Sequence, residues 1–231
     1  MSYDPGAWQR HPDGFITKGN AFEAINDEGI RPLDWTISSG AKSVLDLGCI
    51  NGRYIDWLRR KGYSGEYLGV DITPAFLDSA RQRHPKEKFE SGDIRTLNYK
   101  NSHDLVLCLN ILQHLAPHDW KAAVGNVFAA SREHVIISVY GSLTETKSSH
   151  DQNFLNWWFS KSDFLSLIPV GWQAKEVQIF EPPWDKSVVL IQTWHKKVQP
   201  EEDHGLHNRT VTGIDTGSSQ ANEDGAPASG S

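Results

Sequence analysis

Three acids and one histidine stand at spacings that chemistry could use. Asp46 opens the run Asp46-Leu47-Gly48-Cys49-Ile50-Asn51-Gly52 directly after the apolar pair Val44-Leu45. Nineteen residues past Gly52, Asp71 ends a second apolar stretch, Tyr67-Leu68-Gly69-Val70, and Asp93 follows after another 22. His114 comes just beyond a third apolar run, Leu105 to Leu109. An acid at the tip of an otherwise apolar strand has no packing reason to be there, and its carboxylate can accept two hydroxyls of a sugar. Glycines in a turn before a helix accept positive φ and let a ligand approach the backbone, while the free N–H groups of the helix start suit an anionic end. A histidine beyond a strand end is a candidate general base, set against an ordinary structural role.

Alternating strands and helices must position these groups. Arg53 to Arg60 carries Tyr54, Ile55, Trp57 and Leu58 at helical spacing, with Gly62 as its stop. Thr73-Pro74 is a helix start with a capping hydroxyl and proline at the first helical position, and Pro85 ends that segment. His118 to Ser131 is helical in pattern, and Ser160-x-x-Asp163 is a capping box before Phe164 and Leu165. His134 to Val139 and Val188 to Ile191 are further strands. Continuous apolar strands alternating with helices predict an α/β fold: a Rossmann-like, doubly wound, mostly parallel sheet with helices on both faces, whose ligands bind at the strands' carboxyl ends.

A dinucleotide fingerprint requires Gly-x-Gly-x-x-Gly, and Ile50 stands where its middle glycine belongs, which disfavours an NAD-dependent oxidoreductase. Asp46-x-Gly48-x-x-x-Gly52 instead resembles the first motif of class I S-adenosylmethionine-dependent methyltransferases, which carries a further glycine at the position of Ile50. Asp71, then Ser91-Gly92-Asp93-Ile94, then Asp104 to Leu115 resemble the family's later motifs in order, and Gly171-Trp172 resembles the entry to its last, antiparallel hairpin. The resemblance implies S-adenosyl-L-methionine as cofactor, contacted by Asp46, Gly48, Cys49, Asn51, Gly52, Asp71, Ile72, Asp93, Ile94 and Asn110. Within that set Asp71 would hold the ribose and Asp93 the adenine amine. It places His114 beside the transferred methyl as catalytic base, with His150 as a second candidate. Asn110 lacks the Pro-Pro-aromatic continuation that marks methylation of bases or glutamine amides, and the aromatic N-terminal segment resembles the lid of small-molecule methyltransferases, so the resemblance implies a small-molecule acceptor with oxygen or nitrogen as nucleophile. The alternative is a module that binds the cofactor but has lost activity, for which Ile50 is the hint.

The chain has 231 residues and 38% hydrophobic content, ample for one core. The expected organisation is an N-terminal helical cover or lid over 1–42, rich in aromatics such as Tyr3, Trp8 and Phe15, a cofactor-binding domain over 43–195, and a disordered polar tail over 196–231. The net charge of −6 offers no basic footprint for nucleic acid. No apolar run is long enough to span a membrane, and Met1-Ser2-Tyr3-Asp4-Pro5 lacks a basic-then-apolar pattern, so no secretory signal is expected. Two cysteines, Cys49 and Cys108, read as reduced packing residues, and no metal site is expected. These features predict a cytoplasmic monomer or weak homodimer.

Trp157-Trp158-Phe159 is either a substrate wall or core, and core is the commoner fate of aromatics just before a capped helix.

Overall fold

The computed structural model describes residues 37–151, 154–180 and 188–196, all within a unit that runs from Met1 to Lys197. The expected lid over 1–42, apart from its last residues, and the expected tail beyond Lys196 lie outside the described residues.

The strands β1 (Ser43–Leu47), β2 (Glu66–Asp71), β3 (Lys88–Ser91), β4 (His103–Leu109) and β5 (Ser131–Ser142) form a parallel sheet in the order β3-β2-β1-β4-β5. Crossover helices α1 (Arg53–Arg60), α2 (Pro74–Arg83) and α3 (Pro117–Ala130) connect them. The order reverses at β1, so the loops after β1 and β4 diverge there and open a crevice. Two long strands, β8 (Trp172–Phe180) and β9 (Val188–Lys196), close the sheet as an antiparallel hairpin, with β9 laid along β5. This is the mostly parallel, Rossmann-like sheet with an antiparallel C-terminal strand that the sequence predicts.

Each face of the sheet has its own core. Leu45, Leu47, Val106, Cys108, Val135, Ile137 and Val139 pack against α3, while Val44, Leu105, Leu107 and Ile136 pack against α1. The period-2 alternation of a strand sends neighbours to opposite faces, so continuous apolar runs serve both cores at once. Cys49 and Cys108 are free and buried.

One element departs from the expected pattern. Between β5 and α4 (Lys161–Ser166) the chain forms a further hairpin, β6 (Lys147–Asp151) and β7 (Phe154–Ser160). His150 therefore lies in a strand and not in a loop. Trp157-Trp158-Phe159 likewise belongs to β7. β7 joins β5 in parallel at Gly141 and Ser142, beyond the last residue paired to β4, so it takes over β4's edge of β5 where β4 has ended. The hairpin thus stands at the carboxyl end of the sheet, against the short turn Leu112–His114. Half of the expected capping box forms: the Asp163 N–H donates to Ser160 Oγ at 3.1 Å, while the Ser160 N–H donates to Thr146 Oγ1 at 2.9 Å instead of to Asp163.

Candidate functional site

The loop after β1 is clamped to the end of β2. Gly48 and Cys49 donate their N–H groups to the Val70 carbonyl at 2.7 and 3.1 Å, and Ile50 N–H donates to Asp71 Oδ2 at 3.0 Å. Two glycines make the turn possible, with φ of 73° at Gly48 and 78° at Gly52. Ile50 lies at φ 51°, a left-handed conformation that a β-branched residue adopts only under compulsion, and the Asp71 bond supplies part of that compulsion.

A cleft runs along the carboxyl ends of β1, β2 and β4. Gly48, Ile50 and Arg53 line it from the loop, Asp71, Ile72, Thr73 and Phe76 from the second strand end, and Gly92, Asp93, Ile94 and Leu97 from the third. Asn110, Ile111, His114 and Leu115 line the side beyond β4. Of the expected site residues, Gly48, Asp71, Ile72, Asp93, Ile94, Asn110 and His114 are therefore gathered on one cavity.

Asp46, Cys49, Asn51 and Gly52 lie beneath it, and do not line it. A Cβ at Gly52 would fall 2.6 Å from the His84 ring, so glycine is required there by packing against α2's end and by φ, with no ligand involved. At Gly48, which lines the cleft, a Cβ would likewise collide with a side chain, that of Ile111.

The acids differ in what already holds them. Asp71 is buried and accepts Thr73 N–H at 2.9 Å on Oδ1 as well as Ile50 N–H on Oδ2. Asp71 thus holds the N–H of the residue just before α2, while the capping bond the sequence assigns to the Thr73 hydroxyl is not made. The Thr73 side chain lies in the cleft wall beside the Asp71 carboxyl. Burial pushes the Asp71 carboxyl above its ordinary range, against the pull of those backbone bonds. Asp93 is gripped by the Arg95 guanidinium, with Nη2 at 2.6 Å from Oδ2 and Nε at 3.0 Å from each oxygen. Burial works against its charge, but the Arg95 bonds win and hold its pKa below the usual value.

Asp46 is fully buried, and Tyr67 Oη donates to its Oδ2 at 2.6 Å while Oδ1 has no partner among the described residues. Burial pushes its pKa up to about 7, with the Tyr67 bond and the Arg53 charge pulling the other way. Asn51 is also buried, and both polar atoms of its amide lack partners among the described residues.

On the far side, Asn110 ends β4 at φ 57°, tied to Ser138 through its backbone N–H at 3.0 Å and through its side-chain oxygen at 3.2 Å. This bend turns the chain so that His114 faces the cleft. Its ring meets Tyr140 edge-on, with centroids 6.4 Å apart. Arg53 and Ile111, which line the cleft, and Tyr140, which stands behind His114, carry no motif signal, and only the tertiary contacts place them.

Residues 44–134 match the model of a methyltransferase-domain family. The chain is 29% identical over 101 residues to a trans-aconitate 2-methyltransferase of Methylobacterium radiotolerans, covering 42% of this chain and 39% of that one. A homologous trans-aconitate 2-methyltransferase of Paracidovorax citrulli is 26% identical over 135 residues, 56% of this chain and 51% of its own. The matched stretches thus span about half or less of these curated relatives. Among solved structures, a Burkholderia thailandensis 1,6-didemethyltoxoflavin-N1-methyltransferase with bound S-adenosylhomocysteine superimposes with a TM-score of 0.64 at 17% identity, over 84% of this chain and 91% of that one. A TehB-like S-adenosylmethionine-dependent methyltransferase of Corynebacterium glutamicum gives 0.61 at 21% identity, over 81% and 99%. At these identities the likeness to the solved structures is one of fold.

Proposed function

From a chain whose residues 44–134 form a methyltransferase-family domain, we propose an S-adenosylmethionine-dependent methyltransferase that acts on an oxygen or nitrogen of a small-molecule acceptor. The observation that carries the reading is the convergence of the Gly48 turn, Asp71, Asp93 and His114 on a single cleft at the carboxyl ends of the strands.

The residues fit such a cofactor. Asp71 lines the cleft wall and, despite its two backbone bonds, keeps acceptor capacity for ribose hydroxyls. Ile72, Ile94 and Leu97 offer apolar walls for an adenine ring between Asp71 and Asp93. Arg53 stands at the loop end, where a carboxylate group would lie. When bound, S-adenosylmethionine supplies a methyl group already activated by its sulfonium. The protein then mainly aligns the acceptor and excludes water, and His114 takes the acceptor's proton where the nucleophile is a hydroxyl. A cytoplasmic setting suits the two free, buried cysteines. Among the described residues no helix is long and apolar enough to cross a membrane.

The test is calorimetry and thermal melting with S-adenosylhomocysteine, followed by incubation with methyl-labelled S-adenosylmethionine and acceptor panels. A dissociation constant in the micromolar range, roughly 8 kcal/mol, and label in a small-molecule product are expected. No melting shift at millimolar ligand would end the cofactor assignment. Binding without turnover would favour the inactive module.

A further inference from the structure

The residues Trp157, Trp158 and Phe159 do not share one fate. The ladder pairs Gly141 of β5 with Phe159 of β7 in parallel, and neighbours along a strand point to opposite faces. Phe159 and Trp157 accordingly join the α3-side core, where Trp120 meets their rings at 4.5 and 5.1 Å. Trp158 and Tyr140, each one residue earlier than a paired residue, emerge together on the other face. There their ring centroids lie 5.7 Å apart with the planes tilted by 31°. Both are half-buried, and neither belongs to either hydrophobic core.

This pair begins where the cleft ends. His114 lines the cleft and meets Tyr140 in a T-shaped contact, so His114, Tyr140 and Trp158 form a continuous aromatic row leading away from the methyl-transfer end. The inserted β6–β7 hairpin exists at the carboxyl edge of the sheet, and it alone brings Trp158 into this row.

Resting on the methyltransferase reading above, we propose that Tyr140 and Trp158 form the acceptor subsite, and that the acceptor is a planar conjugated ring bearing a hydroxyl or ring N–H. A flat π-system stacks on such a wall, whereas a polycarboxylate would need cations at this place. Arg53, which lines the cleft, lies at the opposite, loop end, and beside the wall stands Lys147, the exposed ladder partner of Trp158, a single charge that would leave the other carboxylates of a polycarboxylate unmatched. In the reaction, a lone pair of the acceptor's oxygen or nitrogen attacks the methyl carbon. The carbon–sulfur bond breaks with its electrons left on sulfur, and the acceptor's proton passes to His114 or water.

The test uses the full chain saturated with S-adenosylhomocysteine, titrated with 8-hydroxyquinoline, with catechol and with trans-aconitate. The two planar phenols are expected to bind and trans-aconitate to bind far more weakly. Trp158→Ala should weaken the phenols about tenfold or more, Trp158→Phe should retain most of their affinity, and S-adenosylhomocysteine binding should stay within twofold in both. If Trp158→Ala melts early, Trp158→Leu keeps apolar bulk without a π face and should show the same loss. Unchanged phenol binding in these variants, preference for trans-aconitate, or no binding of either phenol to the loaded wild type would overturn the subsite. If the wild type does not bind S-adenosylhomocysteine at all, the methyltransferase reading itself fails.

Discussion

Tyr67 Oη donates to Asp46 Oδ2 at 2.6 Å from the adjacent strand, inside the core beneath the glycine turn, and leaves Oδ1 without a partner among the described residues. A carboxylate so placed is protonated more readily in the folded chain than in the unfolded one, where its pKa is about 3.8 against about 7 when folded. Between those values the folded state binds the extra proton, so this group's contribution to stability declines as pH rises through that window and is constant above it.

Asp46→Asn should therefore remove a downward slope in stability between pH 4 and 7, a slope whose full span is on the order of 4 kcal/mol. Urea midpoints for both proteins across that range measure it. Parallel profiles for wild type and variant would show that Asp46 titrates normally.

Asp71→Ala should lower both stability and cofactor affinity. It frees the Ile50 and Thr73 N–H groups, whose loss costs about 2 to 4 kcal/mol for two charge-assisted bonds. It also removes the ribose acceptor, for a further one to three kcal/mol in binding, roughly one or two charge-assisted hydrogen bonds. Denaturant midpoints and calorimetry with S-adenosylhomocysteine separate the two. Full stability with weakened binding would mean the backbone bonds contribute little.

Ile50→Gly should be tolerated. The left-handed backbone strains a β-branched residue by about 1–2 kcal/mol, and relief of that strain offsets the lost side chain and the extra chain entropy of glycine. Stability within about 1 kcal/mol of wild type, with unreduced S-adenosylhomocysteine affinity, is expected. A loss beyond about 2 kcal/mol would show that the isoleucine side chain packs there to real effect.

His114→Ala should lower turnover by no more than about a hundredfold at neutral pH, leave S-adenosylhomocysteine affinity within a few fold, and recover part of the loss as pH rises and ionises the acceptor. Total loss of turnover with no recovery at any pH would make general-base catalysis dominant and favour an oxygen acceptor. An unfolded variant would make His114 structural.

Glycine at positions 48 and 52 looks alike in sequence, and each has positive φ, yet the two meet different neighbours. Gly48 faces the cleft and Ile111, while Gly52 faces His84 and Phe89 on α2's side. Only the packed structure separates them, because a sequence records that a Cβ is absent and not what would have met it. Asp71 was legible as an acid with no packing role, since a charged residue ending an apolar run stands out. That its oxygens also hold Ile50 and Thr73 N–H groups depends on where the β1 loop lies over the β2 end.

The alternation of apolar runs with helical periodicity, the glycine turn and the acid spacings determine by themselves a parallel α/β sheet with a cleft at the strands' carboxyl ends, because strand and helix periods are local and the crossover rule leaves few topologies. Tertiary structure alone decided the β6–β7 hairpin, the division of Trp157 and Phe159 from Trp158, and the contact of Tyr140 with His114. Ladder register fixes which side chains share a face, and register is a relation between segments distant in sequence that no local pattern encodes.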